Sequence, residues 1–187
     1  MHILEHRRAG GFSRDYNGGV DFALRDFRRQ DFETLWSIDQ ACFEAGIAYS
    51  RRELALYIRQ QRSFTVVAEA LAGDKKPPAQ EKGPNPAIIG FLVAEVHRAV
   101  GHIITIDVLP EARRAKVGSK LLTAAEDRLR AIPCRRVFLE TAVDNLSAIA
   151  FYKRHDYFTV RTLPRYYSTG VDALMLEKNL LSAAQAG

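Results

Sequence analysis

The chain has 187 residues, of which 47% are apolar and 26% charged, the balance of one ordinary globular domain with a full-sized core. No apolar run approaches the length of a membrane span, and the first residues, MHILEHRRAGGFSRDYNGG, lack the apolar block of a secretory signal. The formal charge of +5 is spread over arginine pairs (Arg28-Arg29, Arg51-Arg52, Arg113-Arg114, Arg135-Arg136) with no zinc-finger, helix-turn-helix or RNA-recognition pattern, so nucleic acid is not the expected partner.

Residues 1–19 read as a loose basic arm, punctuated by Gly10, Gly11, Gly18 and Gly19. Residues 20–25 alternate apolar and polar, the pattern of a half-buried strand. Asp31 then precedes a helical run with Phe32, Leu35, Ile38, Cys42 and Phe43 on one face. Gly46 breaks that run, and Ser50 with Glu53 forms a capping box for a second helix whose stripe is Leu54, Tyr57 and Ile58. The bend between the two helices carries Phe43, Ile47 and Tyr49. Residues 64–70 and 88–96 read as strands, and the Pro/Gly/Lys-rich stretch 72–87 between them as a mobile hairpin insertion.

Residues 103–109 form a β-branched strand that Pro110 closes. A helix with Val117, Leu121, Leu122, Ala125 and Leu129 on one face follows, then a strand at 135–143. Asp144-Asn145 caps a short helix, LSAIAFYKRH, and two last strands near 157–163 and 173–177 flank Arg165-Tyr166-Tyr167-Ser168. This order predicts an α/β (α+β) domain over 20–181 with a six- to seven-stranded mixed sheet flanked by helices, and a tail at 182–187. The helix crossing from 103–109 to 137–142 requires those two strands to be parallel.

Cys42 and Cys134 are solitary, without metal spacing, and read as reduced thiols of a cytoplasmic protein with no metal. The stretch 103–120 is more informative. A strand, a short basic turn and a helix start aim several unpartnered N–H groups one way, at the positive end of the helix dipole, which suits a phosphate. It is neither a Walker loop nor a dinucleotide fingerprint, since the turn holds one glycine. Glu140, within an apolar strand, is a candidate base that desolvation would strengthen, or an ion-paired carboxylate with Arg136 as partner. His102 is a rival base by its intrinsic pKa, although its place at the start of a strand reads as a surface histidine. Tyr152 reads as a core tyrosine or as an acid.

Taken together, V-x-P-x-x-R-R-x-x-V-G-x-x-L-L from Val108 and L-E-T-x-x-x-N-x-x-A-I-x-F-Y from Leu139 resemble the GNAT superfamily of acetyl-CoA-dependent N-acetyltransferases. Within it the likeness is greatest to the bacterial enzymes that acetylate the N-terminal alanine of a ribosomal protein. The resemblance implies Glu140 as general base and Tyr152 as general acid. It implies acetyl-CoA against Ile106, Asp107 and Val108, against the turn Arg113, Arg114, Ala115, Lys116, Val117, Gly118 and Ser119, and against Asn145. Phe43, Tyr49, Tyr166 and Tyr167 would wall the acceptor pocket. The implied acceptor is a protein or peptide N-terminus or a small amine, attacked directly in a ternary complex, with the enzyme a monomer or homodimer. A lysine or small-molecule acetyltransferase, or an acyl-CoA sensor without catalysis, uses the same scaffold. Two positions depart from the family pattern: Lys116 stands where the turn usually has Gly, and Asp156 stands where Gly usually ends the Tyr152 helix.

Overall fold

The computed structural model describes residues 20–44, 46–71 and 87–181. The expected arm at 1–19, nearly all of the expected insertion at 72–87 and the tail at 182–187 lie outside those residues. Seven strands and four helices follow in the order β1 (Phe22–Asp26), α1 (Phe32–Cys42), α2 (Arg51–Arg59), β2 (Ser63–Ala70), β3 (Ile88–His97), β4 (Val100–Val108), α3 (Val117–Ala131), β5 (Arg136–Ala142), α4 (Leu146–Lys153), β6 (Phe158–Leu163) and β7 (Ala173–Asn179). The strands form one sheet in the order β1-β2-β3-β4-β5-β7-β6.

Each element follows from its local sequence. The Ser50 hydroxyl accepts from the Glu53 N–H while the Glu53 carboxylate accepts from the Ser50 N–H, so the capping box starts α2 as expected. The fully buried stripe Leu121, Leu122, Ala125 and Leu129 packs α3 across β2, β3 and β4. Gly101 permits this close approach, since a Cβ there would lie 2.6 Å from Leu129 Cδ1. β3 is almost wholly apolar because it is central, with a neighbour on each edge.

Three features exceed the sequence reading. β4 begins at Val100, not 103, because Arg98 and Ala99 make a tight hairpin turn with φ of 47° and 65°. Such a turn normally announces itself with Asn-Gly. β7 inserts between β5 and β6, leaving β6 on the edge with Phe158 and Val160 about half exposed. Finally, β4 and β5 are parallel, as the crossover helix requires, yet they pair only at Val100↔Arg136, Gly101↔Val137 and His102↔Phe138. Beyond those pairs the two strands part.

Asp156 ends the α4 turn in the left-handed region, φ 65°. A Cβ makes that conformation unfavourable by about 1 kcal/mol. Asp156→Gly is therefore expected to raise stability by about 0.5–1 kcal/mol, read from urea unfolding midpoints at unchanged m-value.

Candidate active site

The parting of β4 from β5 sets the site. His102 is the last residue of β4 paired with β5, and it sits opposite Phe138, with the imidazole stacked on the phenyl ring (centroids 4.3 Å apart, planes 8° apart). Side chains on a strand alternate, so Glu140, two residues beyond Phe138, projects from the same face. Its Oε2 lies 2.8 Å from His102 Nε2. On the other side, Glu95 of β3 is the direct cross-strand partner of His102 and places Oε1 3.3 Å from Nδ1. A row of carboxylate, imidazole and carboxylate thus runs across three adjacent strands.

His102 is therefore not the surface histidine its position suggested; it is only 21% exposed. Burial alone would push the imidazole pKa down. The hydrogen bonds and charges of Glu140 and then Glu95 outweigh it, and the pKa stands above the ordinary value. Arg136 does not pair with Glu140, because it reaches across to Glu177 on β7 at 3.1 Å.

One side of the site is assembled from the α1–α2 bend and the loop before β7. Asp39, fully buried on α1, accepts from the Tyr49 N–H at 2.9 Å and from Gln40 Nε2 at 3.0 Å, which fixes the bend. The β3–β4 register steps from Val93↔Thr105 to Ala94↔Ile103 and leaves Ile104 unmatched, a β-bulge. The Ile104 carbonyl then accepts from the Tyr49 hydroxyl at 3.2 Å. Tyr57 meets the Tyr49 ring edge-on at 5.2 Å. From the opposite side, Ser168 Oγ donates to the Gly46 carbonyl at 3.0 Å, joining the loop before β7 to the bend. Gly46 has φ 91°, and a Cβ there would meet Thr169 Cγ2 at 2.8 Å, so the contact depends on glycine. Tyr166 and Tyr167 pack against each other edge-on, and both are pushed up to about 12 by burial first, with the Glu140 charge contributing. Phe43 caps α1 half-buried on the same bend.

The other side of the site presents backbone N–H groups and a side-chain amide. Arg114 and Lys116 are both left-handed, φ 65° and 61°, and Lys116 is the N-cap of α3. This makes a concave turn of N–H groups leading into the first helical turn. The first intrahelical bond is Lys120 N–H to Lys116 O, so the N–H groups of Val117, Gly118 and Ser119 have no acceptor within α3. Arg113 Nε donates back to the Val108 carbonyl at 3.2 Å. Asn145 Oδ1 caps α4 by accepting from the Ala148 N–H at 3.1 Å, which leaves its amide N–H groups for a ligand. Ile106 and Val108 lie on the β4 stretch that has left β5. Asp107 shares that stretch, but its carboxyl is buried and bonded to Thr105 Oγ1 at 2.9 Å, so it offers a ligand only backbone. Tyr152 is 5% exposed, and burial, with Asp107 and Tyr167 nearby, raises its pKa.

Sequence reasoning passed over Glu95, Asp39 and His155. Glu95 and His102 are equidistant from the Arg98-Ala99 turn, so locating that turn would have paired them; without Gly or Asn it gave no signal. His155 Nε2 is 2.9 Å from Ser119 Oγ in the anion turn, and burial lowers its pKa.

Residues 31–157 match the model of the acetyltransferase (GNAT) family. The chain belongs to the GNAT acetyltransferase family. It is 35% identical over 162 residues to an N-alpha-acetyltransferase of Sulfurisphaera tokodaii, spanning 84% of this chain and 93% of that protein. It is 34% identical over 92 residues to an uncharacterised N-acetyltransferase of Methanocaldococcus jannaschii, which is 49% of this chain and 59% of the relative. Among solved structures, Ard1 from Thermoplasma volcanium superposes with a TM-score of 0.73 at 25% identity, covering 87% of this chain and all of that one. The ribosomal-protein-S18-alanine N-acetyltransferase of Escherichia coli shares the fold, with a TM-score of 0.71 at 18% identity over 89% of this chain and 98% of its own. The resemblance read from the two motifs is borne out, and the GNAT chain is an acetyltransferase on an α/β scaffold.

Asp39 supplies a check on the bend. Burial raises its pKa from 3.8 to about 6, so the folded state holds the proton more tightly than the unfolded chain. Its stabilising contribution is complete below pH 3.8 and lost as pH rises through 6. Asp39→Asn is expected to flatten the fall in stability over that window, measured by chemical unfolding at a series of pH values.

Proposed function

We propose that the protein uses acetyl-CoA to acetylate the N-terminal α-amine of a protein or peptide, by direct attack within a ternary complex. The observation that carries this reading is the 2.8 Å contact of Glu140 with His102 at the point where β4 and β5 part. A proton-accepting group there faces the phenols of Tyr57, Tyr166 and Tyr167, whose pKa values its charge helps to raise. The 35% identity to the Sulfurisphaera N-alpha-acetyltransferase over nearly its whole length supports the acceptor class. So does the chemistry: an α-amine has a pKa of about 7.7–8.0 against about 10.4 for lysine, so a carboxylate deprotonates the first far more readily. Two free thiols, Cys42 and Cys134, agree with a cytoplasmic location.

The residues present fit acetyl-CoA. The N–H groups of Val117, Gly118 and Ser119, with the left-handed turn before them, would hold the pyrophosphate, and Lys116 would add a point charge. The open edge of β4 at Ile106–Val108 and the Asn145 amide would pair with the amides of the pantetheine arm. When bound, acetyl-CoA supplies an acetyl thioester whose carbonyl carbon the amine attacks.

The chain's own groups would handle the protons. Glu140 Oε1 has no partner among the described residues and takes the proton from the amine nitrogen. His102 holds Oε2 and keeps the carboxylate aimed. Tyr152 donates a hydrogen bond to the departing sulfur. Its raised pKa refines the role of acid: a thiol titrates near 8.5, so a phenol held above its usual value of about 10 stabilises the thiolate rather than surrendering its proton outright.

Three measurements test the reading. Turnover of acetyl-CoA is expected with peptides carrying a free N-terminus and not with N-blocked peptides carrying lysine or with polyamines; preference for either of the latter assigns the acceptor to another class. Glu140→Gln and Tyr152→Phe should each lower kcat by about 10²–10⁴-fold while acetyl-CoA affinity changes little. Full kcat in Glu140→Gln with its loss in His102→Ala moves the base to His102. Calorimetric titration of acetyl-CoA should find Lys116→Ala weaker than the parent and Lys116→Gly close to it, since glycine relieves the left-handed backbone as the charge is lost. Equal affinity in Lys116→Ala and the parent removes the charge from the account.

A further inference from the structure

We propose that Glu95 is a positioning residue that keeps His102 doubly protonated, so that Nε2–H is always directed at the catalytic carboxylate; the inference rests on the reading of Glu140 as base. Both ring nitrogens of His102 face a carboxylate oxygen, Nε2 at 2.8 Å and Nδ1 at 3.3 Å. A neutral imidazole has one N–H and one lone pair. If both carboxylates are ionised, a neutral ring must point its lone pair at one of them, which is repulsive. Only the imidazolium satisfies both, giving the row two negative charges and one positive. In that state neither imidazole nitrogen is free to accept the amine proton, and Glu140 must.

Glu95 sets the charge balance of the row. A lone imidazolium beside Glu140 would form a neutral pair with it. The charge of Glu95 offsets the imidazolium, and when the amine proton arrives on Glu140 the row passes from net −1 to neutral. The stacking of the ring on Phe138 fixes its plane, so the two carboxylates select its protonation state without turning it. The surroundings are accounted for from each neighbouring element. Glu95 faces His102 from β3 and Glu140 from β5. Tyr57 of α2 lies in the field of both carboxylates, and Tyr166 and Tyr167 lie in that of Glu140. All three are phenols with raised pKa, neutral at working pH. Among the described residues no cation other than His102 is in contact with either carboxylate.

The sign follows directly. Losing the Glu95 charge while keeping its shape lets His102 release its proton at lower pH. In Glu95→Gln the His102 pKa, read from the imidazole resonances by NMR titration, is expected to fall by about 1 unit or more. The alkaline limb of the kcat–pH profile should move acidward with it, and Glu95→Asp should lie between the parent and Glu95→Gln in both readouts. An unchanged His102 pKa in Glu95→Gln overturns the proposal, as does a drop in kcat whose pH profile keeps the parental shape, the mark of a merely structural residue. The NMR titration stands apart from the assignment of the base. If Glu140→Gln keeps full kcat, the base reading fails by its own test, whatever the titration of His102 gives.

Discussion

Three hydrogen-bonded residue pairs hold β4 to β5, and the remainder of the site depends on there being no more. Each strand keeps its other neighbour to the end, β4 with β3 as far as Val108 and β5 with β7 as far as Ala142. The sheet therefore stays intact while a wedge opens inside it, edged by backbone that no strand satisfies. An unpaired strand edge is normally a liability that proteins cover. Here the two edges face each other with the α3 N-terminus nearby, the arrangement that a ligand with both amides and phosphates would satisfy. The crossover through α3 is what permits it, because a parallel pair joined by a helix has no hairpin to zip it shut.

The acidic groups show how burial and pairing give one residue type different states. Asp107 is fully buried with one oxygen unpartnered, and burial first, then the nearby Asp39, raises its pKa well above the ordinary carboxylate value. Glu126, equally buried, instead collects the Tyr157 hydroxyl at 3.1 Å, Arg130 at 3.0 Å and Lys178 at 2.7 Å. It ties α3 to β7, and its donors make a buried charge tolerable. Glu140 and Glu95 take a third course by sharing one imidazole between them. A chain with a net charge of +5 thus gathers two carboxylates on one imidazole where β4 and β5 part.

Backbone strain is concentrated at turns that aim groups. Arg114 and Lys116 hold left-handed conformations in the turn before α3, and Arg98 and Ala99 do so in the hairpin that brings Glu95 opposite His102. None of the four is glycine, so each carries a Cβ cost that surrounding contacts must offset. For the hairpin those contacts are visible: the Arg135 N–H donates to the Ala99 carbonyl at 2.9 Å, anchoring the turn to the start of β5.

Much of this molecule was legible in the chain. Apolar patterning located most of the described helices and strands, because a stripe such as Leu121, Leu122, Ala125 and Leu129 has meaning only at helical spacing. The capping box at Ser50 and the strand-turn-helix at 103–120 are local, and local chemistry is written in consecutive residues. The two motifs around Arg113-Arg114 and Glu140 carried the family for the same reason. What only the tertiary structure decided are the contacts between residues distant in sequence. Glu140 needed β5 beside β4 before His102 became its partner, and Glu95 needed a two-residue turn that lacks the residues by which such turns are known. Tyr49 found its acceptor in a bulge at Ile104 that no pattern marks. Asp39, which carries no sequence signal of its own, gains its role only because folding brings the Tyr49 N–H onto it. Side-chain type and spacing set the elements; the state of each ionisable group was set by neighbours that folding supplied.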